Sequence, residues 1–402
     1  MITKQELLFL NILSCAIHNT ELTNIEISKE DEIYLAQISQ IHNVVPLVYD
    51  KTYKYLSQDI NNFFKQKTMQ QTTLQIMKTD NFSHLYQLFL DHNIKPLVFK
   101  GIICRSIYPK PDLRISNDED LLIKKEDQLK MDQLLTSQGF HRSGEYNDQL
   151  EEMEYIHQNG TFLEVHTSLF SLDSPYAFLN DYFSNIFDKS ISLTINNQTY
   201  YTFDYTQHLI YLFSHCYKHF LHGGFGLRQL CDIIVFMEIY YDKINYDEIN
   251  QFMTTYSLDC FWYNLLEIAR EYLGFDNNRI NYIIPSDDID CEDLLRDLLD
   301  SGIYGDSSIE RKQSANITLQ AVNSQDDNMA GSIFKSLFPS SSYIKDKYSY
   351  VKKHSILLPI GYIHRIISYI GQRTHSHLQT SSIEIGKERV ELLKKYKIIN
   401  TK

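Results

Sequence analysis

Apolar residues recur at helical spacing through the first ninety positions. Leu7, Leu8, Leu10, Ile12, Leu13 and Ile17 suit one packed amphipathic helix. A second is expected after Ser28, where Glu30, Asp31 and Glu32 favour the positive end of a helix dipole. The polar–apolar stretch from Asp59 to His92 reads as one or two more. The texture changes at Pro96-Leu97-Val98-Phe99, a short apolar run ending on Lys100-Gly101 and followed by Ile102-Ile103-Cys104. That pattern predicts strand, turn, helix. Asp120-Leu121-Leu122-Ile123 predicts another strand, and Glu126 to Gln138 a helix closed by Gly139.

The clearest local signal is Met153-Glu154-Tyr155-Ile156-His157-Gln158, then Asn159-Gly160, then Thr161-Phe162-Leu163-Glu164-Val165-His166. Asn-Gly between two alternating runs predicts a hairpin with a type I′ turn, in which both turn residues have positive φ. That register pairs Tyr155 with Glu164 and His157 with Phe162. Glu164 and His166 then share one face, and Leu163 and Val165 the other. A second β pair is expected across Asn196-Asn197, and from Thr206 onward the chain reads as helical. Breaks rich in Ser, Asp and Asn lie near 302–308 and 322–328. The fold class is therefore α+β, a mixed or antiparallel sheet with helices between helical flanks. The divisions fall at 1–93 (helical), 94–203 (α+β core), 204–305 (helical) and 306–402 (basic and helical).

Charge adds one exclusion. The 402 residues carry 38 Lys+Arg against 51 Asp+Glu, a net charge of −13. Binding a long nucleic acid means neutralising phosphates with Lys and Arg, so a polynucleotide coat protein is not expected. The charge is uneven: residues 331–402 carry +9, leaving −22 on residues 1–330. Six scattered cysteines form no Cys-x-x-Cys pair, as in a reducing compartment. Leu7–Ile17 is apolar enough for a signal segment, but Glu6 and Asn11 interrupt it and only Lys4 precedes it. The expectation is a cytoplasmic protein without a membrane span.

Asp118-Glu119-Asp120 leads directly into a strand. Carboxylates at i and i+2 on a strand project from one face and can grip the same hard cation. Glu164, on an aimed face of the hairpin, would supply a third. Lys100-Gly101 at a strand-to-helix turn would offer free N–H groups and a helix N-terminus to a triphosphate. Arg114 and Arg228 would steady phosphate oxygens by bidentate contacts.

Several strings together carry a resemblance. They are Leu97-Val98-Phe99-Lys100-Gly101, Tyr108-Pro109, Leu113-Arg114-Ile115-Ser116-Asn117-Asp118-Glu119-Asp120-Leu121-Leu122-Ile123, Gly139-Phe140 and Leu163-Glu164-Val165-His166. Lys218-His219, Gly226-Leu227-Arg228, Asp232, Leu337-Phe338-Pro339, Leu357-Leu358-Pro359 and His364-Arg365-Ile366 extend it over nearly the whole chain. The chain resembles a bacterial nucleotidyltransferase family of the DNA polymerase β superfamily. The resemblance implies a polymerase-β-like core and transfer of a nucleoside monophosphate, with ATP or another triphosphate as donor. It implies an acidic triad of Asp118, Asp120 and Glu164 holding two Mg²⁺, and nucleotide binding by Lys100, Gly101, Arg114, Ser116, His166 and Arg228. The acceptor would be a small molecule, a glycan or a protein. The superfamily's usual Gly-Ser turn is here Lys-Gly, without the serine hydroxyl. Lys100 would either substitute by charge or point away, the second case suggesting a catalytically degenerate nucleotide-binding protein.

A further alternative is a metal phosphohydrolase built on His208, His215, His219 and His222 with Asp232. Only His215 and His219 have the i, i+4 spacing usual for a metal on one helix, so these histidines read rather as lining an interhelical or nucleotide-facing surface. Residues 344–373 set Lys345, Lys347, Lys352, Lys353, Arg365 and Arg373 beside apolar runs. Such a segment either packs on the acidic body or makes weak contact with an anionic membrane surface.

Overall fold

A computed structural model describes residues 2–23, 25–276, 289–303, 305, 307–324, 341, 344–345, 348–371 and 382–399. Helices α1 (Lys4–His18), α2 (Lys29–Ile41), α3 (Val45–Thr52) and α4 (Gln58–Asp91) open the chain. Thr3 with Glu6, and Ser28 with Asp31, form capping boxes that satisfy the first free N–H groups of α1 and α2. The polar–apolar stretch is a single helix, α4, of 34 residues.

Seven strands follow: β1 (Leu97–Phe99), β2 (Glu119–Leu122), β3 (His141–Arg142), β4 (Glu152–Ile156), β5 (Phe162–His166), β6 (Ile191–Ile195) and β7 (Gln198–Thr202). Between them lie α5 (Gly101–Ser106) and α6 (Gln128–Ser137). They form one mixed sheet in the order β3-β4-β5-β2-β1-β7-β6. The β1–β7 and β2–β5 pairs are parallel and the others antiparallel. Then come α7 (Tyr205–His222), α8 (Leu227–Ile239), α9 (Tyr246–Thr255), α10 (Asp259–Tyr272), α11 (Glu292–Ser301) and α12 (Ile309–Ser324). The last described helices are α13 (Ser349–Lys353), α14 (Leu358–Gly371) and α15 (Ser382–Lys395). The α+β class with helical flanks is as expected.

The hairpin register differs from the expected one. Ile156 pairs with Phe162 and Tyr155 with Leu163. Gly160 alone in the turn has positive φ (86°), and His157 N–H donates to Thr161 O at 2.9 Å. Three residues thus close the loop, with glycine in the left-handed position, where a two-residue I′ turn was expected. The facing of the side chains is unaffected, because alternation is a property of the strand itself. At the second hairpin Asn196 and Asn197 both have positive φ (49° and 66°), as an I′ turn requires.

Strand alternation divides the sheet between two apolar clusters. Val98, Leu121, Leu163 and Val165 pack with Phe82, Tyr86 and Phe89 of α4 and Met131 and Leu135 of α6. Leu97, Phe99 and Leu122 face the other way, into a larger cluster shared with α1, α7, α8, α10, α11 and α15. Odd and even residues of β2 therefore meet different chemistry, and Asp120 falls on the α7 side.

Two features tie the helical flanks together. Asp297 of α11 is buried between Arg311 of α12 and Arg389 of α15, with Arg389 Nη1 at 2.6 Å. Lys395 reaches Asp293 at 2.5 Å and Asp290 at 2.8 Å. Part of the basic tail is thus the counter-charge of the acidic body. Buried His42 lies 3.1 Å from Leu299 O through Nε2, and its Nδ1 accepts from Leu227 N–H at 3.3 Å. Burial pushes its pKa down to about 4, although the Leu299 carbonyl opposes this. A folded pKa below the unfolded value near 6.5 means that stability is full above pH 6.5 and lost as pH falls towards 4. We expect His42 to remove on the order of 2 kcal/mol between pH 7 and pH 5. Urea midpoints at the two pH values measure it, and His42→Gln should flatten the difference.

Candidate active site

The pairing of β2 with β5 sets Asp120 directly beside Glu164, and that of β1 with β2 sets Phe99 beside Asp120. Lys100 follows Phe99, so the lysine, the aspartate and the glutamate meet at one edge of the α7-facing side. Helix α7 roofs this edge with Tyr211, His215, Lys218 and His219. Between roof and sheet lies a cleft of about 490 Å³ that also takes in Asn117, Asp118, Glu152 and His166.

Lys100 turns into the cleft. Its Nζ is 2.7 Å from Asp120 Oδ1 and 3.1 Å from His215 Nε2, and its side chain is only 15 % exposed. Burial works against its charge, but Asp120, with Tyr211, Asp118 and Glu164 adding to it, holds its pKa well above the usual lysine value. Burial and the neighbouring Lys100 keep His215 neutral, so its ring nitrogen accepts from the ammonium. His219 Nε2 lies 3.1 Å from the same nitrogen.

His166 sits among the carboxylates. Its Nε2 is 3.6 Å from Asp120 and 3.7 Å from Glu164, and its Nδ1 is 3.4 Å from Glu152. Burial disfavours the imidazolium, but Asp120 and Glu164 raise its pKa to about 9. Glu164 is half-buried, which would raise its pKa, yet His166 and Lys100 bring it below the usual value. One ligand atom each from Asp120, Glu164 and His166 lie within 4.8 Å of one another. Asp118 borders the same cleft outside that cluster.

Glu119 alternates to the far side of β2 and anchors the turn. Its Oε2 accepts from Ile102 N–H at 2.7 Å, and its Oε1 from Arg105 at 2.6 Å. The helix N-terminus offered to a phosphate in the sequence reading is therefore already engaged by the protein's own carboxylate, and α5 is only six residues long. A Cβ on Gly101 would lie 1.9 Å from Glu119 Oε2, and φ there is +26°. Only glycine fits beneath that carboxylate.

The other expected phosphate ligands are brought to the site's flank, where Arg114 and Ser116 are engaged within the protein and Arg228 is engaged through Nη1 while its Nε has no partner. Arg114 makes a bidentate pair with Asp232 of α8, through Nε at 3.0 Å and Nη2 at 2.5 Å. Tyr108 donates to the same carboxylate at 2.8 Å. Arg228 donates from Nη1 to Ile115 O at 2.5 Å. Ser116 N–H donates to Gln75 of α4 at 2.8 Å, and its hydroxyl accepts from Arg105. Lys78 donates to Asn117 O at 3.2 Å. Three helices thus clamp the segment 114–117 that delivers Asp118 and Asp120. Sequence reading missed Gln75, Lys78, Arg105 and Glu119. The one available signal was that Glu119, between two same-facing aspartates, must point away and find its own cation.

The histidines of α7 do not assemble a metal centre. His208 is buried against Phe203 and Phe236, His222 lies 3.1 Å from the Tyr176 hydroxyl, and Asp232 is taken by Arg114 and Tyr108. Among the described residues no metal-capable cluster includes any of these histidines.

Carboxylates on paired strands and a buried lysine thus line a roofed polar cleft on a mixed α+β scaffold. The chain matches the profile of the family described as "Uncharacterised nucleotidyltransferase" over residues 28–274, well over half its length, and belongs to that family. It is an enzyme of nucleotidyl transfer and uses a nucleoside triphosphate. The match spans the whole sheet and its clamp, and ends before the strings at 337–339, 357–359 and 364–366. No curated protein and no solved structure matches the chain.

Proposed function

We propose that this enzyme moves a nucleoside monophosphate from a Mg²⁺-bound triphosphate to a small-molecule, glycan or protein acceptor, on a polymerase-β-like core spanning residues 94–203. The observation that carries the proposal is the register pairing of Asp120 with Glu164 beside Asp118 in one cleft. The donor set fits the ion. Asp120 is 1 % exposed and neither of its oxygens makes a geometrically good hydrogen bond. Mg²⁺ takes oxygen ligands from one or two carboxylates plus substrate phosphates.

Asp120 and Glu164 would hold the ion, with Asp118 completing the set on the phosphate side. When bound, the ion supplies charge neutralisation for the triphosphate and its pyrophosphate leaving group. His166 orients the two carboxylates from behind. Lys100 would offer an N–H to a phosphate oxygen, and Gly101 leaves the room that Glu119 needs to anchor the turn carrying it. Arg114, Ser116 and Arg228 support nucleotide binding by fixing the segment that carries the aspartates. His219 and Lys218 line the opposite wall, where an acceptor would enter. Six free, buried cysteines support a reducing, cytoplasmic setting.

A thermal-shift panel of nucleoside triphosphates with Mg²⁺ tests the reading. At least one nucleotide should stabilise the protein by several degrees, and only with the metal present. Asp118→Asn and Asp120→Asn should each remove that shift. If both variants respond like the wild type, the cleft is not the nucleotide site. Stabilisation without pyrophosphate release towards any acceptor would indicate a binding protein.

A peripheral membrane contact through 344–373 finds support in its described part. Ile356, Ile360 and Ile363 are 88 %, 53 % and 55 % exposed beside exposed Lys352 and Lys353. An apolar stripe flanked by lysines suits an anionic bilayer surface. Sedimentation with phosphatidylserine vesicles at low salt should carry the protein down, and 0.5 M salt, roughly a 4 Å screening length, should release it. No binding at low salt would end the idea.

A further inference from the structure

We infer that Lys100 is a built-in cation occupying the place of a second metal ion, so that the cleft works with a single exchangeable divalent ion. The inference rests on the reading of this cleft as a cation-dependent transfer site. The resemblance on its own implied two ions.

Backbone geometry makes the lysine conspicuous. Lys100 has φ 59° and ψ −124°, a conformation natural for glycine and strained for other residues. A lysine held there needs a compensating role for its side chain. That side chain runs into the acidic edge, where the ammonium lies 2.7 Å from Asp120 Oδ1. Two ions in a two-metal site stand about 3.5–4 Å apart and share a carboxylate between them. Here the shared carboxylate would be Asp120, and the ammonium already lies against one of its oxygens.

The surroundings hold the ammonium in place. His215 Nε2 stands 3.1 Å away on α7 and accepts one N–H, and the ion pair with Asp120 holds the ammonium from the other side. Asp120 and Glu164 cluster within 4.8 Å, room for one ion between the two carboxylates, and another cluster among the described residues, Glu152 and Glu154 with Glu164, would have to draw on the same Glu164. Asp118 stays outside that cluster, and a second ion bridging Asp118 and Asp120 would have to share Asp120 with the lysine. The charges agree. Asp118, Asp120, Glu152 and Glu164 bring −4 to the cleft, which Lys100 and Lys218 partly offset before any dication binds. A fixed monovalent charge is also permanently present, whereas a second metal must be captured at each turnover.

Counting bound Mn²⁺ tests this. Wild-type protein is titrated with Mn²⁺ alone and with Mn²⁺ plus inorganic triphosphate, followed by calorimetry and electron paramagnetic resonance. The variant Lys100→Gly is compared, since glycine relieves the backbone at φ 59° and removes the ammonium. The expected result is one ion per chain in the wild type under both conditions. In the variant a second ion should enter, with spin-coupled Mn²⁺ pairs. Two coupled ions in the wild type would overturn the inference while leaving the proposed function intact. So would a variant that stays at one ion. No Mn²⁺ bound by the wild type in either condition would instead remove the metal-site reading, and this inference with it. The wild-type count does not depend on how well the variant folds.

Discussion

Replacing Asp120 by asparagine is expected to lower nucleotidyl transfer by about 10³-fold or more while the protein stays folded. Asp120 is the meeting point of the site. It pairs in register with Glu164 and Phe99, its Oδ1 receives Lys100, and His166 leans on it. An amide keeps the shape and one oxygen towards Lys100, so the cost in stability should be modest, roughly 1–3 kcal/mol. The charge that attracts a dication is gone. Pyrophosphate release gives the rate, and Mn²⁺ binding followed by resonance gives the affinity. A variant with near-wild-type rate and metal affinity would show that the chemistry is elsewhere.

The second large effect is structural. Asp232→Ala should destabilise the protein by about 3–5 kcal/mol, because it strands a buried guanidinium. Arg114 and Asp232 are 3 % and 4 % exposed and joined by two hydrogen bonds, and Tyr108 adds a third to the same carboxylate. Burial works against the charge of Arg114, but Asp232 holds its pKa well above the ordinary value. Losing the aspartate therefore leaves a charge with nowhere to go. Asp232→Asn, which keeps one acceptor, should cost less. The effect should also reach catalysis, since Arg114 anchors the segment ending in Asp118. Urea midpoints read the stability, and turnover of the surviving folded fraction reads the positioning. A loss below about 1 kcal/mol would mean that solvent reaches the pair.

The elements that carry the site were legible because their signals are local. Val98 and Phe99 before Lys100-Gly101, and Leu121 and Leu122 after Asp118-Glu119-Asp120, mark β1 and β2 without any knowledge of their partners. The i, i+2 rule correctly placed Glu164 and His166 on one face of β5, even though the turn was assigned two residues and has three. That error moved the cross-strand partner by one residue and left the facing untouched. The phosphate role assigned to the helix N-terminus after Gly101 was less secure. It depended on an empty N–H, and whether Glu119 fills it is decided by a strand seventeen residues away.

Arg114 and Arg228 show the same limit from another side. An arginine near an acidic motif looks the same in sequence whether it meets a phosphate or a carboxylate of its own chain. Here α8 supplies both a partner for Arg114 and a second brace on Ile115, and that helix begins more than a hundred residues later. The role of Lys100 was left open between serving the site and turning away. The packing of α7 over β2 turns its side chain into the cleft, by bringing His215 and Asp120 to the same ammonium.

By itself, then, the sequence determined which residues alternate onto a common face, where the tight turns fall and which carboxylates enter together, since these follow from backbone geometry over a few residues. Only the tertiary structure decided which charges meet. The strand order that brings β5 beside β2, the roof of α7 and the clamp of α8 join positions tens to more than a hundred residues apart. Pairing among buried charges is set by what closes around them in space.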